Sequence, residues 1–310
     1  MTAAEQWYRR RTYHHRDFSA ARIADLRTDT VTVCVPAREC AETIGSIVEC
    51  LMGLQRQNVI DAVLVVDAGS LDGTAEVAAR AGAEVQQEAA LLPEFGPPLG
   101  KGDAMWRALS VIGTGLVAFV DADSEEFGEH FVCGQLGPLV CMPGVDFVKG
   151  FYRRPFKSEG VAMREGGGRV TELMARPLLN MYWPELAGFQ QPLAGEMAGR
   201  RDLLERVPFA CGYSIETALL IDVYKAVGLD AMAQVDLDVR QNRHQPLAKL
   251  GPMAYAVLAA AATRLEREER QWPIDRGPLF QFEQGAMVHR DVTLVERPPM
   301  AELRARASRS

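Results

Sequence analysis

Residues 31–67 read VTVCVPARECAETIGSIVECLMGLQRQNVIDAVLVVD. The segments 31–37 and 61–69 are short apolar runs rich in valine, which are typical of buried strands. Between them, residues 41–54 carry apolar side chains at helical spacing. A strand, a helix and a second strand in this order predict a β-α-β unit, in which the two strands are parallel.

The same alternation continues as far as residue 123. The sequence predicts a helix at 74–82, a short strand at 83–87, a helix at 101–113 and a strand at 115–123. We therefore predict an α/β fold with a Rossmann-like, mostly parallel sheet flanked by helices. Ligands of such sheets bind beyond the carboxyl ends of the strands, so candidate site residues are sought there.

From about residue 150 the pattern changes. A strand and a basic run at 146–157 precede a glycine-rich entry into a helix at 165–180. The segment 212–230 predicts a helix that Ser214 caps and Gly228 ends. A strand at 231–242, an amphipathic helix at 253–270 and a tail strand at 292–300 follow, and the tail is expected to pack on the body or on a second subunit.

Composition excludes several classes of protein. The net charge is -7 over 310 residues, whereas a nucleic-acid-binding protein needs a surplus of basic residues. The six cysteines have no C-x-x-C spacing, which favours free thiols in a reducing cytoplasm. Neither a signal-peptide apolar region nor a bilayer-length apolar run is present, so we expect a protein that is neither exported nor membrane-bound.

Polar side chains follow two of the predicted strands. Asp121 and Asp123 end the strand at 115–123, where one carboxylate can bind a sugar hydroxyl and the other a hard cation. Asp67 ends another strand and Ser70 lies in the turn after it, which suits hydrogen bonding to a base or ribose. Ordinary turn and capping chemistry explains both motifs equally simply.

Gly100, Lys101 and Gly102 stand immediately before a predicted helix. Backbone N–H groups and the positive end of the helix dipole favour a phosphate there, and the lysine adds a full charge. The alternative is a flexible loop with a solvated lysine, because the spacing does not match a Walker motif. Taken together, the three loops indicate a pocket for a nucleoside diphosphate with a cation bridging its phosphates.

The motifs together resemble a known family. VPA, VVDAGSLDGT, GKGDAMW, FVDAD, VKGFYRRP, GGGRVTEL, QPLAGE, GYSIETALLID and VERPPM are similar, in order and spacing, to the glucosyl-3-phosphoglycerate and mannosyl-3-phosphoglycerate synthases among the retaining GT-A glycosyltransferases. The resemblance covers about residues 31–300. It implies cytoplasmic, metal-dependent transfer of a hexose from GDP-mannose or UDP-glucose to the 2-hydroxyl of 3-phosphoglycerate, by a homodimer whose product belongs with compatible solutes.

The resemblance also assigns roles to residues. It implies that eight residues bind the donor: Pro36, Ala37, Glu39, Asp67, Ser70, Lys101, Asp121 and Ala122. It implies catalytic roles for Glu216, Arg240 and Leu193, the last through its backbone carbonyl. It gives Asp123 the role of metal ligand, with Mg²⁺ or Mn²⁺ as the cation.

Gly168, Arg169 and Thr171 form the predicted acceptor site. Free backbone donors at a helix start, a guanidinium and a hydroxyl suit a phosphate or carboxylate, and a surface loop is the less favoured alternative. The family's metal-binding histidine corresponds to Asn242, and here the histidine is His244. We therefore expect His244 to complete the metal site and Asn242 to contact the acceptor, with the reverse assignment left open.

A second difference from the family, after that at Asn242, concerns the base-binding edge. The family commonly has PALNE there and this chain has PAREC. Cys40 replaces an acid there, which puts strict preference for UDP in doubt. Two alternatives remain open: a sugar nucleotidyltransferase, and a catalytically silent nucleotide-binding protein. The resemblance divides one GT-A domain into an N-terminal extension at 1–30, a nucleotide-sugar-binding half at 31–150 and an acceptor-binding half with a C-terminal tail at 151–310.

Overall fold

The computed structural model describes residues 2–153, 156–158, 161–163, 168–240, 246–269, 279–283, 286–290 and 295–307. The strands in these ranges are β1 (Thr12–His14), β2 (Val31–Ala37), β3 (Ala62–Asp67), β4 (Glu84–Gln87), β5 (Leu116–Phe119), β6 (Phe147–Arg153), β7 (Phe156–Ser158), β8 (Val161–Met163), β9 (Met197–Arg200), β10 (Phe209–Ala210), β11 (Met232–Val239), β12 (Leu279–Glu283), β13 (Ala286–Arg290) and β14 (Glu296–Arg297). The α-helices are α1 (Ala3–Arg11), α2 (Ala20–Leu26), α3 (Ala41–Arg56), α4 (Thr74–Ala81), α5 (Lys101–Ala108), α6 (Glu129–Cys141), α7 (Arg176–Tyr182), α8 (Arg201–Arg206), α9 (Ile215–Val227), α10 (Leu247–Arg267) and α11 (Met300–Ala307).

Eight strands form the central sheet in the order β1-β11-β6-β9-β5-β2-β3-β4. Every neighbouring pair is parallel except the two that include β9, which runs antiparallel to β5 and to β6. The predicted mostly parallel α/β sheet is therefore confirmed. The strand β9 was not foreseen.

The central strand β2 shows why the sheet is covered on both faces. Val33 and Val35 pack into one hydrophobic cluster with Ile47 of α3, and Cys34 packs into the other with Trp106 of α5. Successive side chains of a strand point to opposite faces, so a strand buried between two helical layers is apolar at every position.

The first residues of the chain take part in this architecture. β1 pairs in parallel with β11, with Thr12 opposite Gln234. Trp7 of α1 is fully buried, and its Nε1 donates to the carbonyl of Met232 at 2.8 Å. No strand was predicted in this segment, and the three-part division of the chain remains a prediction.

Two predicted details were wrong and one was confirmed. Ser214 precedes α9, but its side chain makes no capping bond and instead donates to the carbonyl of Cys211 at 2.7 Å. The helix at 101–113 ends earlier, at Ala108. Gly228 ends α9 with a φ of 76°, as predicted, because that backbone conformation favours glycine.

The tail packs back on the body of the molecule. β14 pairs antiparallel with β10, and Nε of Arg297 lies 2.6 Å from Oδ1 of the buried Asp103. All six cysteines are free thiols, as predicted. Within the part of the chain that the structure describes, no helix has both the length and the apolar character needed to cross a membrane.

Candidate active site

One edge of the sheet collects the predicted site residues. The carboxyl ends of the parallel strands β2, β3, β5, β6 and β11 all lie there. Because β9 runs antiparallel, its amino end reaches the same edge, with Met197 opposite both Phe119 and Lys149. Residues that follow β5 and β11 therefore meet residues that precede β9.

A network of ion pairs connects five of the predicted residues. Lys101 Nζ lies 2.5 Å from Asp121 Oδ1 and 3.1 Å from Glu216 Oε1. Arg240 places Nη1 2.7 Å from Asp121 Oδ2 and Nη2 2.7 Å from Asp123 Oδ1. Asp121 therefore receives one cation on each of its oxygens, and Arg240 bridges both carboxylates of the D-x-D motif.

Each of these side chains occupies the end of an element. Lys101 is the first residue of α5, after Gly100, whose φ of 92° is available to glycine at little cost. Glu216 lies in the first turn of α9, where the helix dipole favours a carboxylate. Arg240 directly follows β11. Strand and helix ends are fixed by the packed core, so the network is held by rigid elements.

Burial and neighbouring charges oppose one another in this network. Burial alone would raise the pKa of Asp121, but Lys101 and Arg240 hold it well below its usual range. Burial likewise opposes the charge of Lys101, yet Asp121 and Glu216 raise its pKa above the ordinary value. Both groups are therefore ionised at neutral pH.

Two further charged residues belong to the site, and neither was predicted to be functional from the sequence. Glu196 is buried and accepts a hydrogen bond from Arg240 Nη1, and burial raises its pKa. Lys149 is buried in β6 and donates to the carbonyl of Ala194. Burial lowers the pKa of Lys149 to about 8. The sequence could have indicated them as charged residues within otherwise apolar segments. A buried charge is costly unless it is paired, so such a residue is expected to have a specific partner.

Gly195 permits the close contact between β9 and the network. A Cβ added there would collide with the carboxylate of Asp121 and with Nζ of Lys101. Glycine is therefore required at this position of the QPLAGE motif, because any side chain would displace the ion pair between Lys101 and Asp121. Leu193, two residues earlier, is partly buried and packs against the hydrophobic core.

The predicted donor loops are tied to each other by hydrogen bonds. The N–H of Glu39 donates to Ser70 Oγ at 2.9 Å, and Glu39 Oε1 accepts from the N–H of Leu71 at 2.9 Å. Asp67 is buried, and its Oδ2 accepts from the N–H groups of Gly69 and Ser70. Its Oδ1 has no hydrogen-bond partner among the described residues.

Three further predicted donor residues lie at the same edge. Pro36 and Ala37 end β2, beside Val66 and Asp67 of β3. The carbonyl of Ala122 accepts a hydrogen bond from Thr43 Oγ1 at 2.6 Å, which ties the D-x-D loop to α3.

Cys40 also belongs to this region. Burial raises the pKa of its thiol, and the nearby carboxylates of Asp123, Asp72 and Asp121 raise it further. The thiol is therefore neutral at physiological pH, and it lies between the loops that follow β2, β3 and β5.

The predicted acceptor residues lie in a separate segment. Gly168 has a φ of 79°, and Thr171 is buried at the start of a π-helical turn, Thr171–Ala175, that leads into α7. Arg169 lies between them. Anion binding by this segment remains a prediction. Asn242 and His244 lie outside the described residues, so their assignments remain predictions.

The residues present fit a hard divalent cation. Carboxylate oxygens are the ligands that Mg²⁺ and Mn²⁺ prefer, and Asp123 offers a side chain that is 65% exposed. Arg240 compensates the charge of both aspartates. Asp123 would hold the cation, with His244 or Asn242 as the further predicted ligand.

Fold and site together define a metal-dependent glycosyltransferase of the GT-A class. No protein-family model matches the chain. The glucosyl-3-phosphoglycerate synthase of Mycolicibacterium smegmatis is 43% identical, over 92% of this chain and 94% of that protein. The chain belongs to the glucosyl-3-phosphoglycerate synthase family, which confirms the resemblance seen in the sequence.

Solved structures agree with this assignment. Mannosyl-3-phosphoglycerate synthase from Rubrobacter xylanophilus is 45% identical with a TM-score of 0.89, covering 97% of this chain and 98% of that one. Glucosyl-3-phosphoglycerate synthase from Mycobacterium tuberculosis, in complex with Mn²⁺, UDP-glucose and phosphoglyceric acid, is 37% identical with a TM-score of 0.84, covering 94% of this chain and 98% of that one.

Proposed function

We propose that the protein transfers a hexose from a nucleotide sugar to the 2-hydroxyl of 3-phosphoglycerate and keeps the anomeric configuration. The observation that carries this proposal is the network in which Asp121 and Asp123 meet Lys101 and Arg240 at the carboxyl edge of the sheet. The names of the relatives and the ligands of the M. tuberculosis structure support the choice of substrates.

The donor half of the network suits a sugar diphosphate. A divalent cation held by Asp123 would act as a Lewis acid on the leaving diphosphate. Lys101 places a permanent cation beside Asp121, where it stabilises negative charge as the glycosidic bond breaks. Arg240 orients both aspartates, since its two terminal nitrogens contact different carboxylates.

The acceptor half of the site comprises a predicted anion-binding segment and two residues in or close to the network. Arg169 and the N–H groups beside Gly168 would bind an anionic group of 3-phosphoglycerate. Glu216, held by Lys101, would orient the acceptor or sugar hydroxyls. The backbone carbonyl of Leu193 would assist attack on the face from which the diphosphate leaves, which retains the configuration.

Release of nucleoside diphosphate tests this proposal. The enzyme is incubated with UDP-glucose or GDP-mannose and Mg²⁺, with and without 3-phosphoglycerate. We expect diphosphate release that requires both the acceptor and the metal, and that EDTA and Asp123→Ala abolish. Asp25→Ala on the exposed face of α2 is the matched control. Pyrophosphate release would indicate a nucleotidyltransferase, and absence of product a silent binding protein.

Acceptor binding is tested at Arg169. Loss of a charge-assisted hydrogen bond costs about 1.5 to 3 kcal/mol, so Arg169→Ala is expected to raise the KM for 3-phosphoglycerate roughly 10- to 150-fold. The KM for the donor should stay unchanged. Arg206→Ala on α8 is the control, since that side chain is exposed. An unaltered acceptor KM in Arg169→Ala would place the anion site elsewhere.

The donor preference is a finer part of the proposal. Cys40 is compact and its thiol is neutral, so the base-binding edge offers little directed hydrogen bonding to a uracil. A pocket rejects a ligand strongly only when that ligand leaves buried polar groups unpaired. We expect GDP-mannose to be used at least as well as UDP-glucose, and kcat/KM values confined to UDP-glucose would contradict this.

Assembly and location complete the proposal. A homodimer is expected from the family resemblance, and the measurement is a light-scattering mass twice that of one chain. A cytoplasmic location is supported by the six free thiols. The product would then serve as a precursor of a compatible solute.

A further inference from the structure

Three of the five histidines in the sequence lie together at one corner of the sheet. The rings of His14 and His15 are 4.6 Å apart, and that of His130 is 4.9 Å from His15. Nε2 of His14 and Nε2 of His15 lie 3.5 and 2.7 Å from different oxygens of Asp238. One ligand atom from each of His14, His15 and Asp238 lies within 4.8 Å of the others.

We propose that His14, His15 and Asp238 form a second metal site, which binds a divalent transition metal such as Zn²⁺. Two imidazoles and one carboxylate are a ligand set typical of open Zn²⁺ sites, with water completing the coordination. Two ligands at about 2.0 to 2.1 Å in tetrahedral geometry are about 3.3 Å apart. The 3.5 Å between His14 and Asp238 is close to that spacing.

The backbone positions these three residues before any metal binds. β1 pairs with β11, which places His14 opposite Asp236. Asp238 lies within a register shift between Asp236 and Val239 of β11 and has a φ of 66°, a conformation that asparagine and aspartate tolerate better than most residues. Its N–H donates to Asp236 Oδ1 at 2.8 Å, which fixes the turn. The ring of His15 also packs against His130.

Two arginines compete with a metal for Asp238. Arg16 and Arg153 each place Nη2 2.9 Å from one of its oxygens. Their side chains are 74% and 64% exposed, so both can withdraw into solvent. A metal-bound imidazole also carries its proton on Nδ1, so His14 must give up the 3.2 Å bond that its Nδ1 accepts from the N–H of Arg16.

The number of imidazole ligands distinguishes this site from the catalytic one. Two imidazoles favour Zn²⁺, Co²⁺ or Ni²⁺, whereas the catalytic cation is expected on the oxygens of Asp123 with a single further ligand, His244 or Asn242. A metal at the second site would connect the strand β1 to β11 beyond their backbone pairing. Binding to the folded state alone raises thermal stability.

Titration of the intact, EDTA-treated protein with Co²⁺ tests the proposal. Co²⁺ on nitrogen ligands gives visible d–d absorption that reports its coordination, and Zn²⁺ should displace it. The titration is carried out with Asp123→Asn, in which the catalytic metal site is weakened. We expect one equivalent of Co²⁺ to bind with this absorption, and a Zn²⁺-dependent rise in melting temperature.

Two variants in that background identify the ligands. His15→Gln should lose the absorption and the Zn²⁺-dependent rise. Arg16→Gln removes a competing charge from an exposed position and should tighten Co²⁺ binding about tenfold. Unchanged or weaker binding in Arg16→Gln would overturn the proposal. So would Co²⁺ absorption that survives in His15→Gln, which would indicate a thiol or another imidazole as the ligand.

Discussion

At the scale of single residues, Arg240 organises the candidate active site. Its Nη1 contacts Asp121, Glu196 and the hydroxyl of Tyr152, and its Nη2 contacts Asp123. A guanidinium can hold several acceptors in one plane, whereas an ammonium is a point charge. The role of Arg240 thus depends on the planar shape of its guanidinium as well as on its charge.

Arg240→Lys is therefore expected to be far from conservative. Without the planar fork, Asp121 and Asp123 lose their fixed orientation, and kcat/KM should fall roughly a hundredfold or more. Steady-state kinetics with saturating Mg²⁺ measure the loss. Arg10→Lys is the control, because Arg10 forms an exposed pair with Asp230. Near-normal kcat/KM in Arg240→Lys would remove Arg240 from the catalytic machinery.

Glu88 predicts a pH-dependent stability. It is buried, neither carboxylate oxygen has a partner among the described residues, and burial raises its pKa to about 7. Between its ordinary value of about 4.5 and this value, the folded state holds a proton that the unfolded state has released. The contribution of Glu88 to the free energy of unfolding therefore falls as pH rises through this window.

Glu88→Gln should remove that dependence. The variant is expected to melt a few degrees above the parent at pH 8 and at about the same temperature as the parent at pH 5. Calorimetry at the two pH values measures the difference. Glu49→Gln on the exposed face of α3 should show no such change. An equal shift at both pH values would mean that the carboxyl of Glu88 does not titrate as proposed.

At the scale of elements, the short antiparallel strand β9 determines the shape of the site. It lies between β5 and β6 and brings Gly195 and Glu196 to the carboxyl edge. The four residues Met197–Arg200 include a glycine and show no alternation of apolar and polar residues. Only the neighbouring strands fix such an element, so local pattern could not predict it.

Gly195→Ala tests the steric role of this element. The added methyl would collide with Asp121 and Lys101, so the ion pair must open. We expect kcat to fall at least tenfold, together with a lower melting temperature. Gly113→Ala is the matched control, since a Cβ there meets nothing within 4 Å. Full activity in Gly195→Ala would show that the Lys101–Asp121 contact is dispensable.

At the scale of the whole molecule, the sequence predicted the strands and helices that repeat along the chain. It missed contacts between single residues that are distant in sequence. The valine-rich strands at 31–37 and 61–69 and the alternation of helices determined the parallel sheet. Asp121, Lys101 and Glu216 were found because they follow strands or open helices. Glu196 and Lys149 were missed because their hydrogen-bond partners, Arg240 and Ala194, are 44 and 45 residues away in sequence, so only the folded chain pairs them.

The histidine cluster also could not be predicted from local sequence. Asp238 is more than two hundred residues from the adjacent His14 and His15 in sequence, and the pairing of β1 with β11 brings them together. Residues 241–245 lie outside the described residues, so the further ligand of the catalytic cation stays a prediction from the sequence resemblance.

The transfer of a hexose to the 2-hydroxyl of 3-phosphoglycerate, with retention, is the central claim. It is tested most directly by NMR of the product formed from an α-linked nucleotide sugar, 3-phosphoglycerate and Mg²⁺. The account predicts one hexose, α-linked to the glycerate 2-oxygen, which the anomeric coupling and a correlation across the new glycosidic bond establish. A β-linked product, attachment elsewhere or release of free hexose alone would contradict it.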